Sequence, residues 1–178
     1  MKFMIITRSW SMPNSKTFKI KPIRDFIKKH LVNGVILDAF ANECSIKDLM
    51  DDEITYISND LDKRYFTDYN LDALDFLKQF EDNSIDMILY DPPYSPRQVS
   101  ECYKSLNMSV NMQTTQSSYW ANQKKEISRI LKKGGKVITF GWNSGGVGKT
   151  NGFEIQEILM VAHGGWHNDT ICTLEVKK

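Results

Sequence analysis

Ile85-Asp86-Met87-Ile88-Leu89-Tyr90-Asp91-Pro92-Pro93-Tyr94 joins an apolar run of strand length to an acid, two prolines and an aromatic ring. A short continuous apolar run closed by turn residues reads as a strand buried on both faces, which is the signature of a parallel sheet. The prolines end it, because each fixes φ at about −65° and has no N–H to donate. They also hold the Pro92 carbonyl outward beside the Asp91 carboxylate. Two acceptors and one ring face thus leave the strand end together, a device that can grip a flat, amino-bearing base. An Asp-Pro-Pro-Tyr tetrapeptide is equally an acceptable turn. Position favours chemistry, since open α/β sheets place their ligands at the carboxyl ends of strands.

Outward from this strand the pattern repeats. Val35-Ile36-Leu37 ends at Asp38, Ile54-Thr55-Tyr56-Ile57 precedes Ser58-Asn59-Asp60, and Val137-Ile138-Thr139-Phe140 is rich in β-formers. Glu157 to Ala162 and Thr170 to Val176 read as an antiparallel hairpin joined through residues 164–169. With a weak strand near Tyr69, the count is about seven. Helical stripes fall at Ile23, Phe26, Ile27 and Leu31, with Pro22 in the first turn, and again within Asp72 to Phe80. A third helix, from about Tyr119 to Leu131, stops at Gly134-Gly135. The opening, rich in Ser, Asn and Pro, reads as irregular. Ser95 to Ser118 reads as a long polar loop without clear periodicity, which in a compact domain is either mobile or functional. The expectation is one α/β domain over residues 1–178, with a mostly parallel sheet, helices on both faces and a C-terminal antiparallel hairpin.

Composition sets limits on function. A chain of 178 residues, 41% hydrophobic and 25% charged, suits one domain with one sizeable core. No apolar stretch approaches the roughly 20 residues that span a bilayer. Met1 to Arg8 is too short an apolar run for a signal peptide, so a soluble, non-secreted, cytoplasmic protein is expected. Cys44, Cys102 and Cys172 are widely spaced and lack metal-ligand partners, as reduced thiols would. His163 and His167 stand four apart around a Gly-Gly pair, which argues against a shared helical face, and no metal site is expected. Net charge is +1, so any nucleic-acid contact must be local rather than a broad basic field. The lysines between Lys16 and Lys29, and between Lys124 and Lys133, read most simply as solvated helix faces.

The strand ends also outline a cofactor. Asp38-Ala39-Phe40-Ala41-Asn42-Glu43-Cys44 forms a strand-to-helix bend of small and turn-tolerant residues, in which Asn42 can take the left-handed geometry glycine prefers. A plain βα turn accounts for it equally well. Asp60 lies about 20 residues further on, the position from which an acid meets ribose hydroxyls. Asp72, with Ala73 behind it, follows the weak strand and can meet an adenine amino group, although a helix N-cap is the better reading of an aspartate there. Three acids at successive strand ends sketch one nucleoside.

On these residues the chain resembles the S-adenosylmethionine-dependent amino-methyltransferases of DNA, specifically the small phage-borne adenine enzymes without a separate recognition domain. The resemblance runs over essentially the whole chain. That family's first motif, D-x-F-x-G-x-G, is here Asp38 to Cys44, and its D-P-P-Y motif is Asp91 to Tyr94; both glycines of the first are replaced, by Asn42 and Cys44. The resemblance implies a Rossmann-like methyltransferase fold, S-adenosylmethionine as cofactor and DNA adenine N6 as the methyl acceptor, in a host bacterial cytoplasm if the chain is phage-encoded. It implies that residues 1–34 pack against the cofactor's methionine part through Thr17, Phe18 and Pro22. It also implies that the Trp166-His167-Asn168 hairpin tip lines the target-base pocket, although His167 can equally be a surface turn histidine. Amino groups of ribosomal RNA or of protein glutamine are alternative acceptors for the same motif, and a cofactor-binding protein without turnover would share the fold.

The late glycine stretch, Gly141 to Thr150, leaves a strand end on the active-site side and reads most simply as a linker, or as a phosphate-binding or lid loop with Lys149 as a backbone contact and Trp142 at its start. Gly148-Lys149-Thr150 also mimics the end of a Walker A loop, so a P-loop nucleotide-binding protein is a rival. Arg97 stands where it can meet a phosphate. With so little surface left for DNA, a homodimer would help span a duplex, though no residue pattern demands one.

Overall fold

The structure, a computed structural model, describes residues 3–110 and 116–178. Seven strands form one sheet in the order β1-β6-β7-β5-β4-β2-β3: β1 Ile5–Trp10, β2 Gly34–Asp38, β3 Ile54–Ser58, β4 Ile85–Tyr90, β5 Leu131–Gly141, β6 Phe153–Ala162 and β7 Thr170–Lys177. β7 runs antiparallel between β5 and β6, and every other neighbour pair is parallel. The helices are α1 Lys21–His30, α2 Ala73–Leu77, α3 Pro96–Ser105 and α4 Ser118–Ile130.

The central strands alternate their side chains between two cores. Ile36, Met87, Leu89, Ile138 and Phe140 face α1, where they meet Ile23, Phe26 and Ile27. Leu37, Ile88, Tyr90 and Val137 face the other way, onto Phe76 and Leu77 of α2 and Ile127 and Ile130 of α4. Burial on both faces is why these strands read as unbroken apolar runs. Glu157 fastens α1 to β6, accepting from Lys29 Nζ at 2.7 Å and contacting His30 Nε2 at 3.0 Å.

The expected architecture holds, with three corrections. The irregular opening contains β1, an edge strand exposed on both faces, so its side chains carry no inside–outside alternation to read. The strand near Tyr69 is one isolated bridge to Asn59; the acids and asparagines around it bond into the loop instead of a ladder. The polar loop at Ser95 is the ten-residue helix α3, capped by Ser95 accepting from the Gln98 N–H at 3.2 Å, with Pro96 in its first turn. Its buried stripe is only Val99 and Tyr103, too narrow to stand out in a polar sequence. Residues 111–115 of that stretch lie outside the described residues.

Candidate active site

Three neighbouring strands, β4, β2 and β3, end in or just before an acid: Asp91, Asp38 and Asp60. Asp38 is fully buried. Its Oδ2 accepts from the Tyr56 hydroxyl at 2.7 Å and its Oδ1 from the Phe40 N–H at 3.3 Å. Burial pushes its carboxyl up to about 7, against the pull of those two bonds. The bend that follows keeps glycine geometry without glycine: Asn42 has φ 49° and Cys44 φ 54°. Asp60 holds this bend, its Oδ2 accepting from the Asn42 N–H at 2.8 Å while Oδ1 accepts from the Asp62 N–H at 2.9 Å. Asn59 ties the layers together by donating to Ala39 O and Leu71 O and accepting from the Leu71 N–H at 2.9 Å.

The Asp-Pro-Pro-Tyr segment is held from several sides. The Tyr94 hydroxyl donates to Asp91 Oδ1 at 2.6 Å, its N–H donates to Gln98 Oε1 at 2.6 Å, and Trp120 Nε1 donates to Pro93 O at 2.9 Å. No hydrogen bond engages the Pro92 carbonyl among the described residues. The Tyr94 ring stands edge-on to Trp142, with centroids 5.6 Å apart. Burial raises the Asp91 carboxyl to about 6, and the Tyr94 and Thr17 hydroxyls pull it part of the way back. The result is an ionisable acceptor at a strand end whose charge turns over near neutrality.

Helix α3 roofs the site. Its Tyr103 hydroxyl donates to Asp72 Oδ2, while Asp72 Oδ1 accepts from the Leu74 N–H at 3.0 Å and so caps α2. The N-cap reading of Asp72 is therefore correct, and both of its oxygens are engaged.

A cavity of about 660 Å³ lies between these strand ends and α3, within the range of small-molecule sites. Its walls bring together Thr17, Ala39, Phe40, Asn42, Asp60, Asp72 and Ala73. Asp91, Pro92, Pro93, Tyr94, Trp142, Trp166, His167 and Asn168 complete them. Sequence reasoning missed Asn59, Gln98, Cys102, Tyr103 and Tyr119, which also border it; the Val99–Tyr103 spacing behind Ser95-Pro96 was the signal available for the α3 members.

Six expected residues stand elsewhere, Lys149 among them. Asp38 lies beneath the cavity, bonded as above. Phe18 and Ala41 border a small cleft behind Thr17 and Asp91, the Phe18 ring packing on Phe140 at 4.9 Å. Pro22 begins α1. Arg97 is exposed on α3 and pairs with Glu101 at 2.7 Å.

Lys149 requires a correction. Residues 142–152 run from the carboxyl end of β5 back to the start of β6, and Phe153 pairs with Lys177 while Gly141 pairs with Ile171. Lys149 therefore sits at the opposite end of the sheet from the cavity. The same segment answers the P-loop rival. Glu175 accepts from the Val147 N–H at 2.6 Å and the Gly148 N–H at 2.9 Å, so an internal carboxylate occupies the donors a phosphate would use. A short 3₁₀ turn, Lys149–Asn151, then leads into a strand rather than a helix.

No protein-family model and no curated protein matches the chain. Solved structures share its fold. TrmN from Thermus thermophilus is 14% identical with a TM-score of 0.58, over 89% of this chain and 49% of that one. The 1,6-didemethyltoxoflavin-N1-methyltransferase of Burkholderia thailandensis, solved with 1,6-didemethyltoxoflavin and S-adenosylhomocysteine bound, is 10% identical with a TM-score of 0.60, over 89% and 77%. The yhhF protein of Escherichia coli is 10% identical with a TM-score of 0.56, over 89% and 83%. The chain spans about half the length of TrmN. What it shares with these proteins is a Rossmann-like methyltransferase fold. Among the described residues no group of three or more His, Cys, Asp or Glu is placed to hold a metal ion, and no helix is long and apolar enough to cross a membrane.

Proposed function

We propose that this protein transfers a methyl group from S-adenosylmethionine to the exocyclic N6 amine of adenine in DNA. The observation that carries the reading is the Asp91–Tyr94 segment, fixed by three hydrogen bonds at a strand end and opening on the same cavity as Thr17, Asn42 and Asp60. The donor set fits the cofactor. Small Ala39 and the left-handed bend at Asn42 lie on the cavity wall, Asp60 beside them is an acid of the kind that meets ribose hydroxyls, and Thr17 lines the same wall as Asp91. S-adenosylhomocysteine bound to the Burkholderia protein of the same fold supports the same choice. When bound, the cofactor supplies an electrophilic methyl on a sulfonium.

The chain's own residues do the rest. An adenine amine is a weak nucleophile because its lone pair is delocalised into the ring. The Asp91 carboxylate and the Pro92 carbonyl, which no described group engages, each accept one amine hydrogen, turning the lone pair toward the incoming methyl. Tyr94 and Trp142 supply ring faces and edges for an extruded base. Fixed geometry replaces a strong base here, since orientation alone is worth several kcal/mol. The proton leaves only after methylation, to Asp91 or water.

Asp91→Ala tests the site. Turnover should fall by at least about 100-fold while S-adenosylhomocysteine binding, measured by calorimetry, stays within about threefold. A variant that methylates DNA at the wild-type rate would refute the mechanism. Parallel assays on RNA and on protein separate the other acceptors.

A further inference from the structure

The sheet has two edges, and they differ. At the β3 edge the following loop doubles back: Ser58 donates its N–H to Asp68 Oδ2 at 2.8 Å, and Tyr69 donates to Ser58 O at 3.0 Å. At the other edge β1 pairs only with β6, and no described segment covers it. Its six residues, Ile-Ile-Thr-Arg-Ser-Trp, include one charge, no proline and no bulge, so none of the usual devices that blunt an edge is present except Arg8. Phe3, Met4, Ile5, Ile6, Trp10 and Met12 are 50–78% exposed.

We propose that this edge pairs antiparallel with β1 of a second copy, joining two sheets into one of fourteen strands. Those six side chains expose roughly 600 Å² of apolar surface per protomer, and together with the unpaired strand backbone the two edges hold enough surface for an interface at the low end of the stable range, ~1,200 Å² in total. Symmetry selects the register. A two-fold axis normal to the sheet keeps each face on its own side, so opposed residues must be both odd or both even in number. An axis at Arg8 would set two guanidinium groups against each other, and one at Ile6 would leave Trp10 overhanging. An axis at Thr7 pairs the whole strand: Thr7 with Thr7, Ile6 with Arg8, Ile5 with Ser9, and Met4 with Trp10, a sulfur–aromatic contact. The pairing is independent of what the cavity binds.

Sedimentation of the full chain should show a concentration-dependent dimer. Ile6→Lys places a cation opposite Arg8 at an exposed position, so it should weaken the dimer at least about tenfold with an unchanged circular dichroism spectrum. In a Cys102→Ser background, Thr7→Cys should form an interprotomer disulfide on mild oxidation, because only position 7 faces itself, whereas Ile6→Cys and Arg8→Cys should not. A chain that stays monomeric at its highest soluble concentration overturns the proposal. So does a dimer indifferent to Ile6→Lys, or a crosslink at position 6 or 8 in place of 7.

Discussion

Asn42 and Cys44 occupy positions where a glycine-rich bend would have glycines, and both keep the left-handed backbone those glycines would have had, at φ 49° and 54°. Asparagine tolerates that region and cysteine does not, so strain is concentrated at Cys44. Cys44→Gly should therefore stabilise the fold by roughly 0.5–1 kcal/mol in denaturant unfolding; a loss of stability would show that the Cys44 side chain outweighs its backbone. Asp91 gives a second expectation. It accepts an amine hydrogen best when ionised, and burial sets its carboxyl at about 6, so turnover should rise with pH through that value and level off above it. A flat profile between about pH 5 and 8 would contradict this role. At this scale the sequence was most legible where local chemistry is self-sufficient. Asp91 to Tyr94 declare themselves through proline and position. Asp38 was read as a ligand acid but is fully bonded to Tyr56 and Phe40, partners that only the β2–β3 pairing brings near.

Among elements, the core strands were legible because burial on both faces leaves unbroken apolar runs. β1 was not, since an edge strand open on both faces has no burial to imprint a pattern. α3 was hidden for the opposite reason, as a narrow two-residue stripe in a Ser- and Gln-rich segment. In the crossover from β5 to β6 the linker reading holds and the ligand-loop reading of Lys149 does not, because its glycines allow the chain to wrap on Glu175. A Cβ at Gly146 would collide with that carboxylate, which is the reason for glycine there. Glu175→Gln removes a charge-assisted acceptor from the buried Val147 N–H and the half-buried Gly148 N–H and should cost about 1–3 kcal/mol. Residues 143–152 do not border the cavity, so ligand binding there should be unchanged; a lost binding signal without lost stability would contradict the structural assignment.

Over the whole molecule, the buried acid Asp38 at the sheet's carboxyl edge makes folding sensitive to pH. Asp38 holds its proton to about 7 when folded, against an ordinary value of 3.8. The folded chain thus binds more protons than the unfolded one between those values, and stability should fall as pH rises through that window, by up to ~4 kcal/mol from this group. Asp38→Asn should flatten that slope in urea titrations taken across the window; an unaltered slope would assign it to other groups. The same edge is what the fold assembles: the loops after six strands, with α3 and Tyr119 of α4, close a cavity over Asp91 that no single segment could form. The central claim is chemical, and nucleoside mass spectrometry tests it most directly. Unmethylated DNA incubated with the protein and S-adenosylmethionine, then digested to nucleosides, should contain N6-methyladenine with the wild type and none with Asp91→Ala. DNA that stays unmodified while RNA or protein gains the methyl group, or a product methylated on another base, would contradict the account.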